Sequence, residues 1–156
     1  MVNTTEIELA IANHFCYRSN IIVPNVFWGM GLNYEADIVV LRPSGLAVEI
    51  EIKISKAGIK ADLKKAVQHN SRLFKELWFA VPMELSTDLN IPAHAGILAV
   101  TKSFVKRVRL PKRRSDAIVW DNTRRQKLLE LGVMRIWGLK ENLNSFKNRR
   151  RTEGNP

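Results

Sequence analysis

Cysteine is almost absent. Cys16 stands alone among 156 residues, which excludes an internal disulfide and any cysteine-rich zinc site. Long apolar runs are missing too: no stretch approaches the ~20 residues that a membrane-crossing helix needs. The opening residues, MVNTTEIELA, lack a basic start followed by an apolar segment. No secretory signal is therefore expected, and a cytoplasmic setting is the default, nucleoid-associated or phage-encoded ones included. The three histidines, His14, His69 and His94, have no metal-ligand spacing. Gly29-Met30-Gly31 is not followed by the Lys-Ser or Lys-Thr of a phosphate-binding loop. No small-molecule cofactor and no membrane partner are called for.

What is present is a 46% apolar composition and a net charge of +10. That apolar content suits a packed core, and the length suits one domain. We expect it to span 1–147, with a basic, disordered tail over 148–156. The charge is unevenly spread. Residues 1–52 hold two basic and six acidic side chains, a balance of −4; residues 53–156 hold 23 basic and nine acidic ones, a balance of +14. A polyanion is the natural partner of such a surface, because neutralised phosphates release counterions. The expected phosphate-contacting residues are Lys106, Arg107, Arg109, Lys112, Arg113, Arg114, Arg124 and Arg125, with Arg149–Arg151 beyond them. No recognition helix or zinc finger is present, so these contacts would be sequence-tolerant.

Along the chain, Thr5-Glu6-Ile7-Glu8 fits a capping box with Thr5 as N-cap and Glu8 as its partner. Ile7, Ala10, Ile11, His14 and Phe15 follow at helical spacing over 5–16. Ile21–Pro24 reads as a short extended piece. Residues 35–41 and 46–54 are the clearest strands. The second alternates Val48, Ile50, Ile52 and Ile54 with Glu49, Glu51 and Lys53. Arg42-Pro43-Ser44-Gly45 between them predicts a three-residue hairpin loop closed by a bulge glycine. A helix over 57–75 follows, then strands at Leu77–Val81, Gly96–Val100 and Val105–Leu110. One or two helices, broken near Gly132 or Gly138, are expected within 117–145. Asp62, Lys64, Lys65 and Gln68 read as a solvated helix face, and Trp28, Phe79 and Trp137 as packing residues. The expectation is an α/β domain with a mixed central sheet flanked by helices.

The hairpin fixes the chemistry. A loop of Pro43–Gly45 pairs Arg42 with Leu46, so facing residues sum to 88 and Asp37 lies opposite Glu51 on the same face. A slip of one residue would send Glu51 to the other side. Two carboxylates this close repel unless something positive lies between them. Mg²⁺, with Mn²⁺ as a substitute, favours oxygen ligands and takes one or two carboxylates plus water and phosphate. Lys53, on the same face as Glu51, can orient a water and stabilise charge on a phosphate.

Asp37, thirteen intervening positions, then Glu51-Ile52-Lys53 resemble the active-site motif of the PD-(D/E)XK nuclease superfamily. The resemblance runs from Glu6 to about Pro82, roughly half the chain: a first helix bearing a glutamate, the carboxylate hairpin, a second helix and a strand. It implies a restriction-endonuclease-like core and a magnesium-dependent DNA endonuclease of repair, recombination or phage DNA processing. Catalysis would rest on Asp37, Glu51 and Lys53. The metal would be held by Asp37, Glu51 and the Ile52 carbonyl, with Glu6 or Glu49 completing the site. Two departures stand out: Ala36 replaces the motif's proline, and Glu49 adds a third acid to the face. A homodimer is expected if both strands are cut. The alternative is a nuclease-fold module that binds DNA or RNA through its basic surface without cutting.

Overall fold

The computed structural model describes residues 2–27, 29–63, 71–87 and 90–153, with the side chains of 60–63 and 147–153 outside that description. Trp28, Lys64, Lys65, Gln68 and His69, and the side chains of Asp62 and Arg149–Arg151, therefore lie outside the described residues. In chain order the elements are α1 (Thr4–His14), β1 (Ile21–Val26), β2 (Ala36–Leu41), β3 (Ala47–Ile52), α2 (Lys56–Leu63), β4 (Phe74–Pro82), a short 3-10 turn (Met83–Leu85), β5 (Gly96–Val100), β6 (Val105–Arg109) and α3 (Asn122–Glu153). This is an α/β fold with a mixed six-stranded sheet in sequential order β1 to β6. The pairs β1–β2, β2–β3 and β5–β6 are antiparallel; β3–β4 and β4–β5 are parallel. No helix among the described residues is long and apolar enough to cross a membrane.

The hairpin forms as its turn residues require. Arg42 N–H donates to the Leu46 carbonyl at 3.1 Å and Gly45 N–H to the Arg42 carbonyl at 2.9 Å. Gly45 has φ +80°, open to a residue without Cβ, and an added Cβ would meet Val119 at 2.7 Å. The two faces of the sheet are covered differently. On one, Ile7 and Ile11 of α1 pack over Ile38, Val40, Val48 and Ile50. On the other, Leu128 and Leu131 of α3 and the indole of Trp120 cover Val23, Val39 and Leu41. Ile59 of α2 joins Leu77, Phe79 and Val81. A strand covered on both sides has no solvated face, so all six residues of β3 are buried, Glu49 and Glu51 included.

Three expectations change. The capping box closes on Asn3 and Glu6, two residues earlier than Thr5 and Glu8: Asn3 N–H donates to Glu6 and Glu6 N–H to the Asn3 side chain, both at 2.9 Å. Asn is as good an N-cap as Thr or better, and Ile7 and Ile11 of the helix it caps pack on the sheet. The strand expected at Leu77–Val81 begins at Phe74, so the helix expected over 57–75 ends sooner. Finally, α3 is unbroken through Gly132 and Gly138 and continues over 148–153, where a disordered tail was expected. An interior glycine costs a helix only ~1 kcal/mol. At Gly132 the missing side chain is used, since a Cβ would lie 3.3 Å from Val23.

The tightest glycine is Gly96, whose added Cβ would fall 2.4 Å from the ring of Trp78 on the neighbouring strand. That indole is held from behind, its Nε1–H donating to Glu76 at 3.1 Å. Gly96→Ala should therefore destabilise the fold by about 1–3 kcal/mol through overpacking, read from urea unfolding. An unchanged midpoint would mean the ring gives way freely.

Candidate active site

Every β2–β3 pair, from Leu41↔Ala47 to Ile38↔Ile50, sums to 88. Continued by one step, that register sets Asp37 against Glu51, and the side chains meet. Asp37 N–H points to Glu51 Oε1 at 3.5 Å, and Ile52 N–H donates to Asp37 Oδ2 at 2.7 Å. The Ile52 bond fixes the Asp37 carboxylate at the mouth of the strand pair, where its side chain keeps 34% exposure against 4% for Glu51.

Lys53 completes the group. Its Nζ lies 3.0 Å from Glu51 Oε2 and 3.8 Å from Asp37 Oδ2. The three residues expected to act together are thus brought together, and both acids are drawn to one cationic point. Burying a carboxylate is costly unless it is paired and hydrogen-bonded, so this ammonium is part of what lets β3 carry Glu51 inside the sheet.

The donor chemistry fits a hard divalent ion: two carboxylates from facing strands plus the nearby Ile52 carbonyl are oxygen donors of the kind Mg²⁺ selects. Among the described residues, no group of three or more His, Cys, Asp or Glu side chains is placed to hold a metal. Water, phosphate and main chain would have to supply the remaining positions, as is usual for Mg²⁺.

Glu6, expected to help complete the metal site, has partners of its own. Glu6 is committed elsewhere, in the capping box with Asn3 and 3.5 Å from Lys102 Nζ. Its carboxyl is held below the ordinary range, chiefly by the Asn3 N–H. Two residues on, about 200° around the helix, Glu8 is the acid that senses Asp37. Burial and then the charge of Asp37 raise its carboxyl above the ordinary range. With the N-cap at Asn3, Glu6 and not Glu8 is the capping partner, and recognising Asn3-x-x-Glu6 as the box would have found this.

Glu49 lies deeper, 1% exposed and opposite Val39 on one side and Leu77 on the other. Two residues before Glu51 along the strand, it sits ~6.6 Å further in. The Tyr34 hydroxyl lies against its carboxylate. Burial, then the charge of Glu49, hold that phenol protonated well above its usual range. Tyr34 was not foreseen, because a loop residue reaches Glu49 only through tertiary packing.

The expected phosphate-contacting residues divide into two kinds. Some serve the fold. Arg109 ties the carbonyls of Pro92 (2.7 Å), Ala95 (2.9 Å) and Ile91 (3.3 Å). Arg113 pairs with buried Glu76 at 3.0 Å, Arg114 with Asp116 at 3.1 Å, and the Arg124 guanidinium sits over the Trp120 ring at 5.9 Å. Glu76 is level with Val48, three residues below the Glu51↔Phe79 pair, so Arg113 stands towards the hairpin end of the sheet, away from Asp37. Lys106, Arg107, Lys112 and Arg125 are exposed. Lys106 pairs with Ala99, and Ala99 with Val81. It therefore shares a face with Glu51 and Lys53, at their height, ~14 Å across three strand spacings.

No protein-family model matches the chain, and no curated protein matches it. Among solved structures it is similar to a protein of unknown function from Silicibacter pomeroyi. The TM-score is 0.63 and the identity 21%, over 100% of this chain and 97% of that one. The likeness establishes the mixed α/β fold and nothing about chemistry.

The raised carboxyl of Glu8 has a consequence for stability. A group whose folded pKa is raised stabilises the fold while protonated and loses that contribution as pH climbs through the folded value. Glu8→Gln should therefore melt above the parent protein at pH 7 in a chelating buffer, and the gain should shrink to nothing as pH falls below the carboxylate range. A lower melting temperature at pH 7 would show that Glu8 does not face Asp37.

Proposed function

We propose that the protein is a metal-dependent DNA endonuclease of the PD-(D/E)XK type, with Asp37, Glu51 and Lys53 as its catalytic residues. The observation that carries this reading is the convergence of both carboxylates on Lys53 Nζ, at 3.0 and 3.8 Å, across two strands in the expected register. A solvated strand face, the bland explanation of alternating acids and lysine, does not bury Glu49 and Glu51 to 1% and 3% exposure. The sequential sheet with its carboxylate hairpin, crossover helix and parallel β4 supports a restriction-endonuclease-like core.

Asp37, Glu51 and the Ile52 carbonyl would hold Mg²⁺ or Mn²⁺, and Glu8 replaces Glu6 as the outer acid. When bound, the ion would engage the scissile phosphate and acidify a water. The remaining work belongs to the chain. Lys53 presents an ammonium within hydrogen-bond reach of Glu51, placed to orient the attacking water and to stabilise charge developing on the phosphate. Asp37, fixed by the Ile52 N–H, keeps its carboxylate turned to the solvent side from which a strand must approach. Lys106, on the same face, suits a neighbouring phosphate and replaces Arg109, Arg113 and Arg114 as the better contact; Arg107, opposite Leu98, faces the α1 side of the sheet. No separate recognition element is assembled among the described residues, and we favour structure-directed repair, recombination or phage DNA processing over site-specific restriction.

A second reading has one observation behind it: no third metal-ligating side chain is assembled among the described residues. On that reading the chain binds DNA or RNA without cutting. Supercoiled plasmid with Mg²⁺ or Mn²⁺ separates the two. We expect nicking by the parent protein. Asp37→Ala and Lys53→Ala should lower it at least ~100-fold, the scale of a lost catalytic group, while DNA retention in a gel changes little. Binding without nicking in any metal would leave the second reading standing.

A further inference from the structure

Beyond Arg135, whose guanidinium donates to the Asn25 carbonyl at 2.6 Å, α3 leaves the sheet. Residues 136–153 extend it by ~27 Å at 1.5 Å per residue. That length is not polar all round. Ile136, Leu139, Leu143 and Phe146 are each 53–67% exposed along one side, with Leu129 (45%) two turns before them; Trp137, 61% exposed, projects from another side of the helix. From Ile136 onward the spacing is three, four, three, the seam of a helix that packs against another helix. The seam continues the stripe that Leu128 and Leu131 bury against β1 and β2. The apolar face is thus one surface, covered at its start and uncovered at its end.

We propose that this uncovered half of α3 pairs with α3 of a second copy of the chain, in an isologous two-fold dimer. The inference does not rest on the nuclease reading. Its first support is area. Five large apolar side chains at these exposures present on the order of 600 Å² per protomer, the low end of what each partner of a specific interface buries. Single exposed apolar residues need no explanation, but a contiguous patch of this size does. The second support is charge. Between Ile136 and Phe146 the helix carries one lysine and one glutamate, Lys140 and Glu141. Two antiparallel copies meet there without net repulsion, although the chain as a whole is at +10. Lys140 already lies over the Trp137 ring at 4.8 Å, which keeps it on the shoulder of the seam. A helix lying on a membrane surface has no need of this narrow three-four spacing, although Lys147 and Arg149–Arg151, which follow Phe146 in the sequence, are residues that anionic lipid attracts. A lipid surface is therefore the outcome the test must separate.

The test is the mass of the full chain by sedimentation equilibrium, in enough salt to screen nucleic-acid bridging. Twice 17.8 kDa is expected for the parent protein. The double variant Leu139→Glu, Leu143→Glu should fall to 17.8 kDa with helix content unchanged, since both positions face solvent and Glu is a good helix former. Leu110→Glu, an equally exposed site away from α3, should leave the mass doubled. A parent protein that stays monomeric overturns the proposal. So does a double variant that remains dimeric, and so does a monomer that floats with phosphatidylglycerol vesicles only while Leu139 and Leu143 are intact.

Discussion

The costliest thing this sequence does is to place carboxylates on a strand that has no wet side. β3 lies third in a six-stranded sheet, between an antiparallel and a parallel neighbour. Helices on both faces bury all six of its residues. An ionised group in that position is tolerated only when opposite charge and hydrogen bonds replace the water it has lost. Everything around Glu51 follows from that requirement. Asp37 comes from the facing strand, Lys53 leans back over both acids from the strand's end, and the Ile52 N–H steadies Asp37. Taking away Lys53 would leave facing carboxylates to repel each other in a poorly hydrated space. The ammonium is therefore part of what holds the fold, and on the proposed reading it serves the chemistry as well.

The sheet order makes the arrangement possible. A hairpin puts two residues fourteen apart in sequence within contact, and a parallel crossover then covers the second strand, so that its acids face a confined space. β3 is where the two modes meet. Antiparallel pairing supplies Asp37, and parallel pairing with β4 sets Phe79 beside Glu51. The apolar wall of Ile59, Leu77, Phe79 and Val81 lowers the local dielectric, and charges on that face act on each other more strongly than they would in water.

How much of this is legible in the chain depends on how local the signal is. The hairpin register is local: Pro43 and Gly45 fix the turn, the turn fixes the sum of 88, and the facing of Asp37 and Glu51 follows without any tertiary knowledge. The helix cap is also local, yet two boxes compete, Asn3 with Glu6 and Thr5 with Glu8. Only the docking of Ile7 and Ile11 on the sheet decides between them. The outcome engages Glu6 in the cap and leaves Glu8 out of it. Basic residues are the least legible. A run such as Lys112-Arg113-Arg114 looks like a phosphate-binding surface, but Arg113 and Arg114 answer carboxylates at 76 and 116, and Arg109 answers three carbonyls. Composition counts charge; only the fold says which charge is already used. The length of α3 escaped for a related reason, since glycine marks a break only where nothing gains from its missing side chain, and Gly132 lies against Val23.

The molecule holds a second buried glutamate, and the contrast sharpens the reading of the first. Glu76 is clamped by Arg42 at 3.1 Å, Arg113 at 3.0 Å and the Trp78 indole N–H at 3.1 Å. Guanidinium and indole are fixed planar donors that do not give up their protons at any working pH. Such a group is a rivet: its donors are rigid, and its carboxylate is 3% exposed with no second acid among these contacts. Glu51 is built from other parts. Its partner is an ammonium on a flexible stem, a compact charge whose protonation responds to its surroundings. That ammonium is shared with Asp37, and Asp37 opens to solvent. Were Glu51 only a rivet, an arginine would serve better and the facing position would have no use for an acid. A lysine shared by two converging carboxylates at the mouth of a strand pair is poorly suited to holding a sheet together and well suited to exchanging partners with an incoming cation and phosphate.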